Sequence, residues 1–485
     1  MNIQMIRYTL AQVLRIEGVF LLLPCIVSLI YREKVGLIYL FTALALLIIG
    51  TIGSLFKPKN MVIYLKEGCV ATSLSWILMS LGGCLPFYIS GEIPSFTDAL
   101  FETVSGFTTT GASILPEVEV LTHTALFWRS FTHWLGGMGV LVFLLAVIPM
   151  SGGSNINLMR AESPGPSVGK LVPKIRHTAR ILYIIYLVMT VIEMILLMLG
   201  GMNLFEASTL SFGTAGTGGF GIKNDSFASY SAYIQWVVAI FMVLFGINFN
   251  AYYFILLRQF RKFFDFEEVR RYLIFIGIAT AVICVNVVNL YDSVGEALTH
   301  SFFQVASLVS STGYGSTDFD TWPTLSKLTL ILLMTVGACA GSTGGGVKVS
   351  RFTVLLKSIR KEFASYIHPK IVRKISLDGR TVEHDVVRSI NVYFITFFTV
   401  LMGSMFIVAL DGHDLVTTFT AVLATLNNIG PGLSKVGPTC NYSFFSPLSK
   451  YVLILDMLAG RLELFPILIL FHPTLYKGLF TGKRR

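Results

Sequence analysis

Four short segments rich in Thr, Ser, Asn and Gly recur along the chain, each leaving a helix-compatible stretch and entering an apolar span. They are Phe107-Thr108-Thr109-Thr110-Gly111, the run from Gly213 to Gly221, Ser310-Ser311-Thr312-Gly313-Tyr314-Gly315 and Leu426-Asn427-Asn428-Ile429-Gly430-Pro431-Gly432. With Gly111, Gly219, Gly313 and Gly430 taken as equivalent, the intervals are 108, 94 and 117 residues. Each interval has room for one membrane helix, one re-entrant loop and a second helix. One chain would then carry a complete fourfold ring.

A mean hydropathy of +0.72, with 54% apolar and 13% charged residues, excludes an ordinary soluble enzyme. Ten apolar runs long enough to cross a bilayer are read near 8–30, 36–56, 69–90, 125–149, 179–200, 231–257, 272–290, 326–356, 390–410 and 449–472. Of 37 Lys and Arg, 28 fall in Arg7, the 57–66, 160–180, 258–271 and 348–388 loops and the tail from Lys477, all on one side if the helices alternate. Seven fall opposite, and two, Arg15 and Arg461, lie within spans. The positive-inside rule therefore expects both termini in the cytoplasm. The net charge of +10 reads as topology, and no nucleic-acid partner is expected from it. The first run lacks a small-residue cleavage pattern and is read as a retained helix. Cys25, Cys69, Cys84, Cys284, Cys339 and Cys440 have neither metal-like spacing nor a paired framework.

The expected fold is an all-α polytopic membrane protein. An N-terminal transmembrane hairpin occupies 1–66, and four pseudo-symmetric helix, pore-loop, helix repeats over 67–150, 151–260, 261–360 and 361–485 surround one central pore. Half-helices are expected at 97–107, 203–213, 296–309 and 414–426, near Asp98, Asn203, Glu296 and Asp414 at their starts. A helix that stops inside a membrane must satisfy its last carbonyls against protein or a wet cavity, and its negative end suits a cation. In the turns that follow, glycine admits backbone conformations closed to other residues, so successive carbonyls can face one axis. The expected path is lined by Thr109, Thr110 and Gly111, by Thr217, Gly218, Gly219 and Phe220, by Ser311, Thr312 and Gly313, and by Asn428, Ile429 and Gly430. These segments carry no charged side chain, which argues against a carboxylate filter. Carbonyl rings favour a large monovalent cation.

On Thr109-Thr110-Gly111-Ala112-Ser113, Thr217-Gly218-Gly219-Phe220-Gly221, Ser311-Thr312-Gly313-Tyr314 and Asn428-Ile429-Gly430-Pro431-Gly432, the chain resembles the Trk/Ktr/HKT superfamily of potassium transporters, most closely its bacterial TrkH branch. The resemblance covers nearly the whole sequence. It implies a potassium uptake subunit of the bacterial inner membrane, homodimeric, with potassium as the transported ion, no organic cofactor, and a cytosolic nucleotide-binding ring of the TrkA type as regulator.

Two irregularities lie inside apolar spans. Gly337-Ala338-Cys339-Ala340-Gly341-Ser342-Thr343-Gly344-Gly345-Gly346 holds five glycines within ten residues, each costing about 1 kcal/mol in a helix relative to Ala. An unwound loop beneath the filter is expected, and the resemblance makes it a gate, with Gly341, Gly344, Gly345 and Gly346 as gating residues; a packing notch or plain kink is the alternative. Arg461 is a charge at membrane depth, costing about 2.5 kcal/mol or more, so it faces a cavity or an acid. The resemblance makes it a gating residue below the filter; an ion pair with Asp456 or Glu463 is the alternative.

Other signals fail. Gly216 to Gly221 matches the dinucleotide-binding pattern without its preceding strand or its later acid, and Gly341 to Lys348 misplaces the Lys of a phosphate loop. The eight His are dispersed without a catalytic spacing, so no enzyme is expected. The basic 348–388 segment fits anionic membrane lipid or the regulatory ring. Outer acids such as Glu92, Glu119, Asp411 and Asp414 would make an acidic vestibule. Glu102, Glu193, Glu206 and Asp456 keep open a proton- or sodium-coupled symporter with midplane sites.

Overall fold

The computed structural model describes residues 1–60, 62–139, 175–369 and 374–475. A bent helix, α1 (Ile3–Phe20) and α2 (Leu22–Tyr31), pairs with α3 (Gly36–Leu55) as the N-terminal hairpin. The first repeat follows as α4 (Leu65–Ser90), half-helix α5 (Phe96–Phe107) and α6 (His123–Gly137). The second is α7 (Ile175–Leu199), half-helix α8 (Leu204–Gly216), then α9 (Ala232–Phe245) and α10 (Phe249–Leu256), with short α11 (Phe260–Asp265) leading out. The third is α12 (Glu267–Val287), half-helix α13 (Val294–Val309), α14 (Thr324–Val336) and α15 (Val349–Ile367). The fourth is α16 (His384–Val408), half-helix α17 (Leu415–Leu426), α18 (Pro447–Arg461) and α19 (Phe465–Leu468). Among the described residues β-structure is confined to an antiparallel pair, β1 (Ser376–Leu377) and β2 (Arg380–Thr381), between the last two repeats.

Each half-helix starts on a side chain that accepts one of the helix's orphan N–H groups: Ser95, Asn203, Ser293 and Asp414 accept from the residue three positions on. Asn203 and Asp414 cap as the sequence suggests. In the other two, Asp98 and Glu296 sit in the first turn behind a serine cap, where the helix dipole favours a carboxylate. The Thr417 hydroxyl, with its N–H, holds the exposed Asp414 carboxyl below the usual range. Apolar side chains left outside, among them Leu29, Leu55, Val285 and Leu410, match the hydrocarbon a membrane supplies.

Six described helices have the length and hydropathy of a span, or seven when the α9–α10 pair is counted as one. The sequence offers ten apolar runs, one of them already expected to unwind at its glycines, and the difference lies in the second helix of each repeat. The span expected at 231–257 bends by 96° after Phe245, because Asn248 caps a fresh helix by accepting from the Asn250 N–H. The 326–356 span is unwound between Val336 and Val349, as its glycines require. The 449–472 span breaks after Arg461, where Glu463 and Leu464 take positive φ. The span expected at 125–149 is helical to Gly137, and from residue 140 on it lies outside the described residues, as do much of the 160–180 loop and the tail from Lys477.

Charge counting by loops also needs correcting. Lys348 and Arg351, assigned to a cytoplasmic loop, are buried, and Arg129 and Lys450, assigned to the opposite face, lie inside α6 and α18. A paired charge can enter a packed wall: Lys450 meets Asp98 at 2.6 Å, and Arg129 meets Glu102 at 2.6 Å.

Candidate ion path and the elements beneath it

All four half-helices end in one way. The N–H groups of Thr109, Thr217, Ser311 and Asn428 bond the carbonyls three residues back, and those of Thr110, Gly218, Thr312 and Ile429 bond the carbonyls five residues back. This double bond pattern is the Schellman C-cap, which needs a left-handed residue just past the helix. Thr109, Thr217, Ser311 and Asn428 hold that conformation, with φ of 55°, 54°, 61° and 53°. Glycine is the usual occupant; a β-branched Thr there is strained by about 1–2 kcal/mol. Two of the side chains kept at that cost, Thr109 and Ser311, reach Arg461 and the Gly-rich segment.

Two residues beyond each cap comes the glycine of the repeat, again at positive φ: 77°, 84°, 84° and 92° for Gly111, Gly219, Gly313 and Gly430. A methyl group built on Gly111 would sit 2.0 Å from the Gly218 carbonyl oxygen, one on Gly219 2.0 Å from that of Thr312, and one on Gly313 2.0 Å from that of Ile429. On Gly430 it would sit 2.7 Å from the Thr110 oxygen, so the order closes from the fourth repeat back to the first. The four turns therefore meet in one ring. All four glycines line a cavity of about 140 Å3.

The ring is held from behind by groups the sequence did not flag. His133 on α6 bonds the Gly106 carbonyl through Nδ1 at 2.7 Å and accepts the Phe220 N–H at Nε2 at 3.2 Å. A carbonyl only accepts and an amide N–H donates, so the imidazole is neutral with its proton on Nδ1. Glu102 of α5, paired with Arg129, also accepts from the Ser113 hydroxyl and the Ile114 N–H, each at 2.9 Å. Arg129 in turn donates to the Gly221 carbonyl at 2.8 Å and lies over the Phe220 ring, 3.6 Å from its centroid. This pair fastens the strand leaving the first turn to the strand leaving the second. Glu102→Gln leaves the buried guanidinium uncompensated, and the unfolding midpoint of the detergent-solubilised protein is expected to fall by the equivalent of about 3–5 kcal/mol. Replacing both partners, Glu102→Leu with Arg129→Met, is expected to restore much of that loss, and an unchanged midpoint for Glu102→Gln would mean the pair is solvated.

Two expected lining groups are otherwise engaged. The Phe220 ring is taken up between Arg129 and His133, and its carbonyl accepts from the Tyr314 hydroxyl at 3.4 Å. The Gly430 carbonyl accepts from the Tyr442 hydroxyl at 2.7 Å. The remaining residues named from the sequence come together at the ring. The outer acids do not line the cavity; its charged lining groups are Arg129 and Lys223. Glu92 instead accepts from Thr122, Glu119 from the Asn224 N–H and Asp411 from the Ser446 N–H.

Beneath the ring, the unwound segment between α14 and α15 covers the carbonyl ends of two half-helices. Gly344 lies against the Ser310 carbonyl and Gly345 against that of Asn427, neither leaving room for a Cβ. The Gly345 N–H donates to the Ser311 hydroxyl, so a strained cap residue meets the loop directly. The loop is also laced to the bend between α9 and α10: Cys339 N–H donates to the Gly246 carbonyl, Thr343 Oγ1 to that of Phe245, and Phe249 N–H to that of Gly341. The two broken helices thus satisfy each other's freed backbone groups.

Arg461, at the end of α18, reaches groups of two other repeats. It donates to Thr109 Oγ1 at 3.1 Å, to the Thr343 carbonyl at 2.9 Å, and to the carbonyls of Gly136 and Gly137. The acids weighed as its partners are committed elsewhere: Glu463 bonds Arg351, and Asp456 accepts from the Ser404 hydroxyl at 2.7 Å. One guanidinium therefore joins the first half-helix, the end of α6 and the Gly-rich loop.

The fold and sequence have clear relatives. A family profile described as TrkH, a cation transport protein, matches residues 38–478. The Trk system potassium uptake protein TrkH of Salmonella typhimurium is 36% identical over 467 residues, covering 94% of this chain and 96% of that protein. An uncharacterized cation transporter of Methanocaldococcus jannaschii is 32% identical over 483 residues, covering 99% and 97%. The crystal structure of the potassium transporter TrkH from Vibrio parahaemolyticus superposes with a TM-score of 0.89 at 30% identity, covering 98% of this chain and 100% of that one. The chain is a member of the TrkH family of cation transport proteins, which are transporters and not enzymes.

Proposed function

We propose that this chain carries potassium into the cell through the ring of four turns, its carbonyls replacing the hydration shell of the ion. The observation that carries this reading is the closed order of the four glycines, each against the carbonyl of the next repeat. The half-helix ends add negative potential from four sides. Thr109, Thr110, Gly111, Thr217, Gly218, Gly219, Ser311, Thr312, Gly313, Asn428 and Ile429 are the proposed lining, with Phe220 and Gly430 in supporting places. The Gly-rich loop through Gly341, Gly344, Gly345 and Gly346, together with Arg461, is the proposed gate. It covers the half-helix ends on the side an incoming ion must leave by. The divisions at 66, 150, 260 and 360, both termini in the cytoplasm of a bacterial inner membrane, a homodimer and a nucleotide-binding ring of the TrkA type belong to the same proposal. The Trk system named for the relatives supports it.

The test is potassium, rubidium and sodium flux into liposomes containing only the purified chain, with proton movement monitored. Downhill potassium and rubidium flux without proton movement, and slower sodium flux, is expected. Flux that requires a proton or sodium gradient would favour coupled symport. That second reading draws on Asp456, buried between α16 and α18 with one oxygen on Ser404 and the other without a hydrogen-bond partner among the described residues. Glu102 gives it less support, since Arg129 neutralises it.

A further inference from the structure

A loop that opens must pivot at its two ends. In the Gly-rich segment both ends converge on one side chain that the ion path does not use. Glu268, in the first turn of α12, is buried, and its Oε1 accepts the Ala340 N–H at 2.7 Å and the Ser350 N–H at 3.0 Å. One oxygen thus ties together the entry and the exit of the loop. Ser350 lies in the first turn of α15, where N–H groups have no intrahelical acceptor and a carboxylate suits the dipole. Lys348, buried between the same two points, donates to the Gly344 carbonyl and holds the middle of the loop toward its exit.

Helix α12 is anchored at both sides of this contact. One turn on, the Tyr272 hydroxyl donates to the Val243 carbonyl at 3.5 Å and packs on Gly246, at the bend to which the loop is laced. On the cytoplasmic side, the Glu267 N–H donates to Asp378 Oδ1 at 2.7 Å, and Asp378 sits in the turn between β1 and β2. Lys357 of α15 bonds Glu267 Oε2 and the Ser376 carbonyl, both at 2.6 Å. The small hairpin is therefore fixed to the helix end one residue from the carboxylate that holds the loop.

We propose that Glu268 is a positioning residue that keeps the Gly-rich loop closed by holding its two ends together, and that Asp378 in the cytoplasmic hairpin seats the helix turn carrying it. The proposal rests on the loop being the gate. Loss of Glu268 frees both ends at once without touching the ion path.

Rubidium flux into liposomes holding the full chain alone tests it. Two hydrogen bonds to a charged acceptor are lost in Glu268→Ala, and flux is expected to rise roughly 10-fold. Glu268→Gln keeps the accepting oxygen and is expected to stay within about 2-fold of the parent. Asp378→Ala is expected to raise flux by a smaller factor. Hydrogen exchange over 338–351 gives a readout independent of transport: faster in Glu268→Ala and parental in Glu268→Gln. If Glu268→Ala does not accumulate as folded protein, Glu268→Asp, one methylene shorter, cannot span both N–H groups and is expected to show the faster exchange. Parental flux and exchange in a folded Ala or Asp variant would overturn the clamp. Deleting Gly341 to Gly346 in parallel separates the two ideas. Unchanged flux after the deletion sinks the gate itself, whereas raised flux after the deletion with parental behaviour in Glu268→Ala sinks the clamp alone.

Discussion

Gly313→Ala is expected to reduce potassium flux through the purified chain by about 100-fold or more, whereas Gly403→Ala leaves it unchanged. At Gly313 the new methyl would stand 2.0 Å from the Ile429 carbonyl oxygen and 2.9 Å from Pro431 Cδ, on a backbone at φ 84°. Neither neighbour is a flexible side-chain end, so the third and fourth turns must part by on the order of 1 Å, a displacement able to cost about 100-fold wherever geometry sets a barrier. The left-handed backbone adds about 1–2 kcal/mol of strain for any L side chain. Gly403, within the last two turns of α16, has nothing within 4 Å of its added methyl, and alanine there gains helix propensity. Both variants should be compared as monodisperse protein in liposomes of equal density. A folded Gly313→Ala that conducts like the parent would mean that the ring does not shape the ion path. The same substitution at Gly111 or Gly219 meets the same 2.0 Å obstacle from the next repeat, so three repeats should respond alike.

Those glycines were legible in the sequence because positive φ and close approach both demand glycine, and because they recur at intervals of one repeat. The half-helices were legible for a similar local reason. The stretch expected at 414–426 is Leu415–Leu426, and that at 97–107 is Phe96–Phe107. Hydropathy and polar caps act within a few residues, and a single sequence displays them.

What escaped the sequence depends on distance or on a rule broken locally. The C-caps are filled by Thr109, Thr217, Ser311 and Asn428, where a cap search looks for glycine. In three of them the side chain explains the exception: Ser311 meets the Gly345 N–H, Thr109 meets Arg461, and the Asn428 amide donates to Thr110 Oγ1 and to the Met457 carbonyl. Glycine would relieve the strain and lose those contacts. His133 was one of eight scattered histidines until the fold brought it to Gly106 and Phe220. The bend after Phe245 and the break after Arg461 sit in runs that hydropathy reads as continuous; beyond the local Asn248 cap, the bend is held by Cys339 and Thr343 of another repeat, and the acid at the break, Glu463, by Arg351 of another repeat. Arg129 counted as an outer loop base because its partner, Glu102, lies 27 residues away on another helix.

Arg461→Ala is expected to raise potassium flux through the partner-free chain by about 10- to 100-fold. A fixed positive charge about 6 Å from a passing cation, at an effective dielectric near 20, opposes it by about 3 kcal/mol, which sets the upper figure. Its hydrogen bonds act in the same direction, since they tie Thr109 and the C-terminal end of α6 to the Thr343 carbonyl of the loop. Removing the side chain therefore lowers an electrostatic barrier and releases the loop together. Arg461→Lys separates these two contributions. Lysine keeps the charge on a narrower donor that cannot span the same acceptors, so its flux should rise less than that of Arg461→Ala if charge dominates, and nearly as much if the bridging bonds dominate. A purely structural arginine predicts another pattern, in which both variants lose folded protein and the fraction that folds conducts at the parental rate. Flux normalised to folded protein decides between them: a parental value for Arg461→Ala removes Arg461 from the gate and leaves the Gly-rich loop to act alone.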